Sequence, residues 1–248
     1  MELDRRSLLG LAALGLGNEL SRGLWPARAR LAMGAAHAGG MNSSRSELTF
    51  EEFLEEAGPG ARELVADTSR IGEDRYLHAL ASHAVRLRDV PVPQLRENTA
   101  KGDRAKTWIG ANDPPESIEE VPFTVLHWKL EPHAVIHQHP HLYGSVVTLC
   151  LEGEIRVRNY ECVDAHDFDT KDAFRVRQVT DQVLQPGGIN LVPLTHGYTH
   201  GFVAGPQGAR GLDITTRTRD RRSTPNLEVS PQPLEPGGAI YEGRWIYR

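Results

Sequence analysis

The stretch that decides the fold runs from residue 137 to residue 160 and reads HQHPHLYGSVVTLCLEGEIRVRNY. It joins a short histidine-rich segment to two β-rich runs, which flank a turn at Glu152-Gly153. In a β-strand, residues two apart project from the same face, so His137 and His139 are expected to lie side by side. The stretch therefore predicts a β-hairpin framework that directs two imidazoles toward one point.

Further β-rich segments lie on both sides of this stretch. They cover residues 123–130, 145–151, 155–160, 174–179, 189–193, 198–203, 210–216 and 239–247. Turns rich in Gly, Pro or Asp separate many of them. Gly (24 residues) and Pro (16 residues) are frequent in the whole chain, which favours a turn-rich β architecture. About eight short strands predict an all-β sandwich or jelly-roll barrel, which we place at residues 121–248.

The segment before the barrel, residues 39–120, is predicted to be a helical appendage followed by a connecting loop. Thr49 and Glu52 have the spacing of a capping box, and the short helix that they open should end at the Gly-Pro-Gly of residues 58–60. Residues 62–67 could form another helix. From Tyr76 to Leu87, apolar residues recur at three- and four-residue spacings, which predicts a helix over residues 74–87. Residues 89–120 are polar, interrupted by Pro, and are expected to form the loop.

The first 38 residues have the order of regions that is typical of an export signal. Arg5 and Arg6 precede an apolar run over residues 8–17, and a small-residue region ends with Ala-His-Ala at residues 36–38. The apolar run is about half the ~20 residues that a membrane span needs. The Arg-Arg-x-Leu-Leu order resembles the bacterial twin-arginine signal, which implies a periplasmic or secreted protein. Cleavage after Ala29 is a second option, and an N-terminal helix with no targeting role is the alternative reading.

Composition narrows the classes of partner. The formal net charge is −5 at pH 7, so nucleic acid is not expected to bind. Outside the first 38 residues, no segment approaches the length of a membrane span. Cys150 and Cys162 are more consistent with two separate thiols than with a disulfide, because a turn near Gly153 would place Cys150 opposite a residue near 155. A monomer or a small homo-oligomer is expected.

The histidines are the candidate metal ligands. If the face of the strand that carries His137 and His139 is the inner face of the barrel, both imidazoles converge there, and a metal needs at least one further ligand. Neutral imidazole suits Fe, Zn, Cu or Ni better than Ca or Mg. A second histidine group, His196 and His200, follows a second Gly/Pro turn. The pattern therefore predicts one divalent metal held by histidines from two segments.

Two motifs carry a family resemblance. The first is HQHP at residues 137–140, followed by LEG at 151–153 and the strand EIRVRNY at 154–160. The second is LVPLTHGYTHGF at residues 191–202, followed by GLDIT at 211–215. These segments resemble the thiol dioxygenase family of cupins, above all its cysteamine dioxygenase and plant cysteine oxidase branch. The tail YEGRW at residues 241–245 is similar to the last strand of that branch.

The resemblance implies a cupin barrel, a double-stranded β-helix, with one Fe(II) ion held by His137, His139 and His200. The chain has no acidic residue between residues 140 and 144, which fits the three-histidine type of site rather than the four-ligand type. Asp213 matches an acidic residue near the active site of the family, and we assign it a catalytic or substrate-orienting role. Tyr198, two residues before His200, would line the same cavity.

Several assignments stay open on the residues alone. His196 competes with His200 for the position of the third ligand. His141 is the best substitute if the first strand is shifted by two residues; otherwise His141 and His133 lie next to the site or face solvent. Asp213 could equally be a satisfied strand residue, and Tyr198 a core residue.

The function that follows is an oxidoreductase that uses Fe(II) to add dioxygen to the sulfur of a thiol, giving a sulfinic acid. The substrate would be a small thiol or the Cys that begins a peptide, with dioxygen as the second substrate. Two other functions remain open. One is a non-catalytic barrel that binds a metal or a ligand, and the other is a cupin oxygenase that acts on a compound without a thiol.

Overall fold

The computed structural model describes residues 47–87, 104–109, 123–164, 168, 172–196, 198–219 and 224–247. Residues 45–248 make one compact unit, which contains all of them. The predicted export signal lies outside the described residues, as does most of the predicted connecting loop. The helices are α1 (Phe50–Ala66) and α2 (Arg70–Ala84). The strands are β1 (Arg104–Ile109), β2 (Phe123–Leu130), β3 (Val135–Pro140), β4 (Gly144–Cys162), β5 (Phe174–Leu184), β6 (Ile189–Val192), β7 (Tyr198–Arg217), β8 (Asn226–Pro233) and β9 (Ile240–Ile246).

The start of α1 is the predicted capping box. The Thr49 hydroxyl accepts a hydrogen bond from the Glu52 amide at 3.2 Å, and the Glu52 carboxylate accepts one from the Thr49 amide at 2.8 Å. These two bonds satisfy amides that have no partner within the helix. The bond from the Thr49 amide is the largest cause that lowers the pKa of the Glu52 carboxyl.

The expected end of α1 at Gly-Pro-Gly is wrong, because the helix continues through Pro59 to Ala66. A proline inside a helix costs about 3 kcal/mol, since it removes one backbone hydrogen bond. Ala57, Ala61 and Leu64, which lie on both sides of Pro59, are all buried. Packing on this face therefore keeps one helix where the sequence suggested two.

The helix predicted over residues 74–87 is present as α2, which begins four residues earlier, at Arg70, and ends at Ala84. Its residues Tyr76, Leu77, Leu80 and Ala84 are all buried, as their spacing predicts for one face of an amphipathic helix. The Ser69 hydroxyl caps its first turn by accepting from the Gly72 amide at 3.1 Å.

The nine strands of the described residues form one antiparallel sheet. Its main path is β1-β2-β7-β4-β5-β9-β8, with β3 added beside β7 and β6 added beside β4. The long strands β4 and β7 pair along nearly their whole lengths. Their first and second halves take different neighbours, because β2 and β6 flank one end of this pair while β3 and β5 flank the other. The sheet thus folds over on itself as a curled half-barrel.

Two glycines allow the bend in the middle of the long pair. The pairing of β4 with β7 shifts register on both sides of Gly153, which has a φ of 70°. A Cβ atom at Gly153 would collide with the carbonyl oxygen of Gly208, whose own φ is 75°. Both positions therefore require glycine for conformation, and Gly153 requires it for space as well.

The two faces of the sheet bury different sets of residues. Helices α1 and α2 pack against the outer face, and the buried residues there include Phe53, Leu77, Val147, Leu149, Leu212 and Ile214. The inner face has its own buried apolar group, which includes Trp128, Leu130, Cys150, Ile155, Val157, Leu184 and Phe202. The alternation along β4, with residue 149 outward and residue 150 inward, is the two-residue period of a strand.

One buried carboxylate fastens α2 to the barrel. Glu73 is 1% exposed and accepts hydrogen bonds from the backbone amides of Leu194 at 2.6 Å and Thr195 at 2.9 Å. The hydroxyls of Ser145 and Thr195 also donate to it. Because Leu194 and Thr195 lie between β6 and β7, the helix holds the loop that leads into the strand of His200.

The predicted architecture, an all-β barrel with a small N-terminal helical appendage, is confirmed by these elements, which form a curled half-barrel with two helices. Two strands were not predicted: β1 lies within the expected loop, and β8 lies within a polar, Pro-rich segment. Both cysteines are free thiols, as expected, but the hairpin turn on which this expectation rested is absent, because β4 continues through Gly153 and Cys150 pairs with Gly211. Within the described residues, no helix combines the length and the apolar character of a membrane span.

Candidate metal centre

Three histidines come together on the inner face of the half-barrel. Their ring centroids are separated by 4.9 Å (His139 and His141), 4.7 Å (His139 and His200) and 4.8 Å (His141 and His200). The potential ligand atoms all lie within 4.8 Å of one another. His200 is completely buried. Three imidazoles at nearly equal separations, with no carboxylate among them, make up this cluster.

The spacing of the ring nitrogens fits ligands of a single metal ion. The Nε2 atoms of His141 and His200 are 2.9 Å apart. At metal–nitrogen distances of about 2.0–2.1 Å, two ligands at right angles place their nitrogens about 2.9 Å apart. Neutral imidazole is a preferred ligand of Fe, Zn, Cu and Ni. The three histidines can therefore hold one transition-metal ion.

A backbone hydrogen bond prepares His139 for this role. Its Nδ1 atom lies 2.8 Å from the carbonyl oxygen of His137. A carbonyl oxygen can only accept, so Nδ1 carries the proton and the neutral ring keeps its lone pair on Nε2. Such a bond on the second nitrogen typically orients a metal-binding histidine.

The structure places His137, which the sequence predicted as a ligand, in an exposed position outside the cluster. The reason is a β-bulge. Ile136 pairs with Phe202 and His139 pairs with His200, so three steps along β3 match two steps along β7. The extra residue reverses the alternation, which turns His139 inward on the same side as Ile136. His141 takes the third place, and the side chain of His137 is left on the solvent side.

Of the two candidates for the third ligand, His196 and His200, the structure brings His200 into the cluster. His200 belongs to the cluster, whereas the His196 ring contacts Arg70 at 2.9 Å and Asp74 at 3.2 Å, both on α2. His196 therefore belongs to the contact between α2 and the loop before β7. His133, the other histidine considered, is exposed.

Asp213 lies on the inner face, but it is not one of the clustered residues. It is 8% exposed and accepts a hydrogen bond from the Thr148 hydroxyl at 2.7 Å. Thr148 pairs with Asp213 across β4 and β7, and with Asn190 across β4 and β6. Residues that pair directly point to the same side of a sheet, so these three side chains form a polar row on the inner face.

Tyr198 packs against His196 rather than against the cluster. The two rings meet edge to face at 5.0 Å. Burial, with a smaller contribution from Glu161, raises the pKa of the Tyr198 hydroxyl. A catalytic role for Tyr198 stays a prediction, and its observed contacts are those of a residue at the edge of the barrel.

Apolar rings lie beside the cluster. The Phe202 ring is 5.8 Å from the His200 ring, and the Trp128 ring packs against Phe202 at 5.0 Å. Phe202 and Trp128 are 2% and 1% exposed. The cluster thus has a water-excluding wall on the side of the inner apolar group.

Sequence reasoning missed two buried asparagines on the same face, Asn159 and Asn190, which are 2% and 3% exposed. Asn159 sits directly opposite His200 in the pairing of β4 with β7. A signal was available, because Asn159 interrupts a strand whose alternate positions are Ile155 and Val157. An amide at an inward position of a β-strand needs partners.

No protein-family model matches this chain, and comparison with curated proteins by sequence gives no match. Among solved structures, the coconut allergen cocosin is 18% identical with a TM-score of 0.38, over 56% of this chain and 32% of that one. KdgF from Halomonas sp. is 15% identical with a TM-score of 0.36, over 52% of this chain and 90% of that one. Peruvianin-I, a cysteine peptidase from Thevetia peruviana latex, is 18% identical with a TM-score of 0.38, over 50% and 66%.

The region matched in the coconut allergen is therefore about a third of that protein's length. At these identities and TM-scores, the similarities assign neither a substrate nor an activity to this chain. The strand pairing and the positions of the side chains describe the site instead. The described residues form a curled half-barrel whose inner face carries a three-histidine cluster able to hold one metal ion.

Proposed function

We propose that this protein is an Fe(II)-dependent thiol dioxygenase. The observation that supports the proposal most directly is the cluster of His139, His141 and His200. Within the described residues, no Asp or Glu belongs to this cluster. Three neutral ligands leave the charge of a divalent ion uncompensated. Such a site favours an anionic substrate atom, and a thiol bound as its thiolate supplies one.

The overall reaction is RSH + O₂ → RSO₂H. Both oxygen atoms of dioxygen end on sulfur, and the four electrons that reduce them come from sulfur, so no external reductant is needed. When bound, iron would supply the binding position for the thiolate and the means of activating dioxygen. The role of the protein is to hold, orient and shield the reactants.

Two groups on the inner face fit these tasks. Phe202 and Trp128 form the apolar wall beside His200 and would keep water from the sulfur. Asp213, held by Thr148, is a carboxylate on the same face and would attract an ammonium group of the substrate. Cysteamine and the α-amino group of an N-terminal Cys both carry such a charge.

The proposal is tested by oxygen consumption of Fe(II)-loaded protein with cysteamine, cysteine, 3-mercaptopropionate and a peptide that begins with Cys. We expect uptake with at least one thiol and the sulfinic acid as product. His141→Ala should abolish uptake and iron binding, whereas the matched variant His137→Ala should retain both. Loss in the His137 variant with retention in the His141 variant would contradict the assigned ligands.

A second candidate function is a non-catalytic barrel that binds a metal. The same three imidazoles are also a common ligand set for Zn²⁺, which has no redox chemistry of its own. Tight Zn²⁺ binding by the purified chain, with no oxygen uptake by the iron-loaded protein for any thiol, would favour this function. Oxygen uptake with aromatic or diketone compounds alone would indicate a different oxygenase.

We also propose that the protein is exported. The proposal rests on the sequence of residues 1–38, with its paired arginines, apolar run and small-residue end. Fusion of these residues to a reporter should direct it across the bacterial inner membrane. Replacement of Arg5 and Arg6 by Lys should stop this transport, and unchanged transport would contradict the twin-arginine assignment.

A further inference from the structure

Two buried amides lie beside the histidine cluster and do not belong to it. Asn159, on β4, pairs directly with His200 on β7, so both side chains point to the inner face. Its Nδ2 atom donates to Asn190 Oδ1, on β6, at 2.8 Å. Both asparagines are more than nine-tenths buried. We infer that Asn159 and Asn190 form a ligand-recognition pair for a carboxamide group.

The orientation of the pair follows from a backbone carbonyl. The Nδ2 atom of Asn159 also lies 3.2 Å from the carbonyl oxygen of Leu191. That oxygen can only accept, so the nitrogen of Asn159 must face it. The oxygen of Asn190 must then face Asn159, which completes the second bond. A rotation of either amide by 180° would place two donors or two acceptors against each other.

This orientation leaves one acceptor and one donor. Among the described residues, neither Asn159 Oδ1 nor Asn190 Nδ2 has a hydrogen-bond partner. A buried polar atom without a partner costs about 1–3 kcal/mol. Two such atoms on amides that are hydrogen-bonded to each other, one of them on the residue opposite His200, indicate a position where a bound molecule completes the hydrogen bonds.

The complementary group must donate to Asn159 and accept from Asn190. A primary carboxamide does both along one edge, with its N–H and its C=O. A carboxylate has no donor, so it would place an oxygen against Asn159 Oδ1 and lose one bond. Neither asparagine offers a positive charge that would compensate a carboxylate. Sites built on buried hydrogen bonds discriminate strongly against analogues that leave a partner unpaired.

With respect to substrate, this inference rests on the proposed function. It predicts that the thiol carries a carboxamide rather than a carboxylate at the end that enters the inner face. The matched probes are 3-mercaptopropionamide and 3-mercaptopropionate, which differ only in that group. Binding is measured without oxygen on Co(II)-loaded protein, by the absorption that a thiolate produces when it binds Co(II).

We expect the amide to bind at least about tenfold tighter than the carboxylate, the difference of roughly one unmatched hydrogen bond. In Asn159→Leu/Asn190→Leu, both probes should bind within about twofold of each other, with unchanged Co(II) affinity. Equal binding of the two probes to the unaltered protein would overturn the inference. So would a preference that persists in the double variant, since Asp213 alone would then explain the rejection of carboxylate.

A second measurement separates this inference from the proposed function. Propanamide and propanoate carry no thiol, and thermal unfolding of the metal-free protein reports their binding. Propanamide should raise the midpoint, propanoate should not, and the double Leu variant should respond to neither. If the protein binds Co(II) but no thiol binds to the metal, the dioxygenase proposal fails. The thermal unfolding measurement still tests whether Asn159 and Asn190 bind a carboxamide. If propanamide leaves the midpoint unchanged at saturating concentration, the amide pair recognises no carboxamide.

Discussion

The inner face of the half-barrel has two halves that use the same strands in opposite ways. The apolar half contains Trp128, Cys150, Ile155 and Phe202. The polar half contains the three clustered histidines, the row of Thr148, Asp213 and Asn190, and Asn159. Both halves draw on β4 and β7. The apolar half is stabilised by close packing of its side chains. The polar half buries hydrogen-bonding groups, which costs free energy unless partners replace the water that they lose. We therefore expect the apolar half to contribute most of the stability and the polar half to bind metal and ligand.

The largest effect should come from the apolar half. Phe202→Ala removes a ring that packs on Trp128 and lies beside His200. We expect a loss of about 3–5 kcal/mol in the free energy of unfolding, because a buried ring leaves a cavity. Denaturant unfolding measures this loss. The matched variant Val203→Ala, at a neighbouring position that is 39% exposed, should change it by no more than about 0.5 kcal/mol. Similar losses for both variants would contradict the division into halves.

A smaller effect is expected in the polar half. Thr148→Val removes the hydroxyl that donates to Asp213 at 2.7 Å and leaves the shape of the side chain almost unchanged. The cost should be about 1–3 kcal/mol, since a buried carboxylate loses one of its donors. Under the proposed function, the variant should also weaken binding of cysteamine more than binding of 2-mercaptoethanol, which has no ammonium group. Thr180→Val, at a partly exposed position of β5, serves as the control for stability. Equal weakening for both thiols would remove Asp213 from substrate binding.

A substitution outside both halves gives a reference. Thr49→Ala removes the hydroxyl that accepts from the Glu52 amide at the start of α1, while the bond from the backbone amide of residue 49 to the Glu52 carboxylate can remain. We expect a loss of about 1 kcal/mol in stability and no change in metal binding by the histidine cluster. Glu55→Ala, on the exposed side of the same helix, should have a smaller effect. Metal affinity that fell with Thr49→Ala would show that the helices act on the cluster more directly than we infer.

The smallest expected effect is that of Cys150 on the free energy of unfolding. It is absent near neutral pH and appears only at alkaline pH. Burial raises the pKa of this thiol from 9.0 to about 11. Its neutral form therefore favours the folded state, and that contribution is complete below pH 9 and is lost as the pH rises from 9 to 11. The stability of the unaltered protein should fall more steeply over this range than that of Cys150→Ala. Cys162, whose pKa burial raises to about 12, is common to both proteins. Parallel pH profiles would contradict the burial of Cys150 in the apolar half.

Sequence patterns predicted the features that depend on neighbouring residues. The capping box at Thr49, the buried face of α2 and the strand over residues 123–130 all follow from local spacing. The spacing of His139 and His200 in two motifs also carried enough information to nominate both. Fe(II) as the metal, the thiol substrate and export stay predictions.

The features that were missed depend on a partner strand. Strand β1 forms by pairing with the edge of β2, and the sequence of residues 104–109 has no periodicity that predicts it. The choice of His141 over His137 depends on a bulge, which exists only in the pairing of β3 with β7. The amide pair depends on the meeting of β4 with β6, which brings residues 159 and 190 together. A single sequence specifies strands better than it specifies which residues they bring face to face.

The hydrogen bonds of Glu73 determine the shortest fragment of this chain that we expect to fold and bind metal. A truncated version that began at β2 would look complete as a barrel. It would nevertheless lose the acceptor for the amides of Leu194 and Thr195, just before the strand of His200, and would expose the outer apolar face. Such a fragment should aggregate and bind metal poorly. A truncated or fused version of this domain should therefore begin before Thr49, so that it includes both helices.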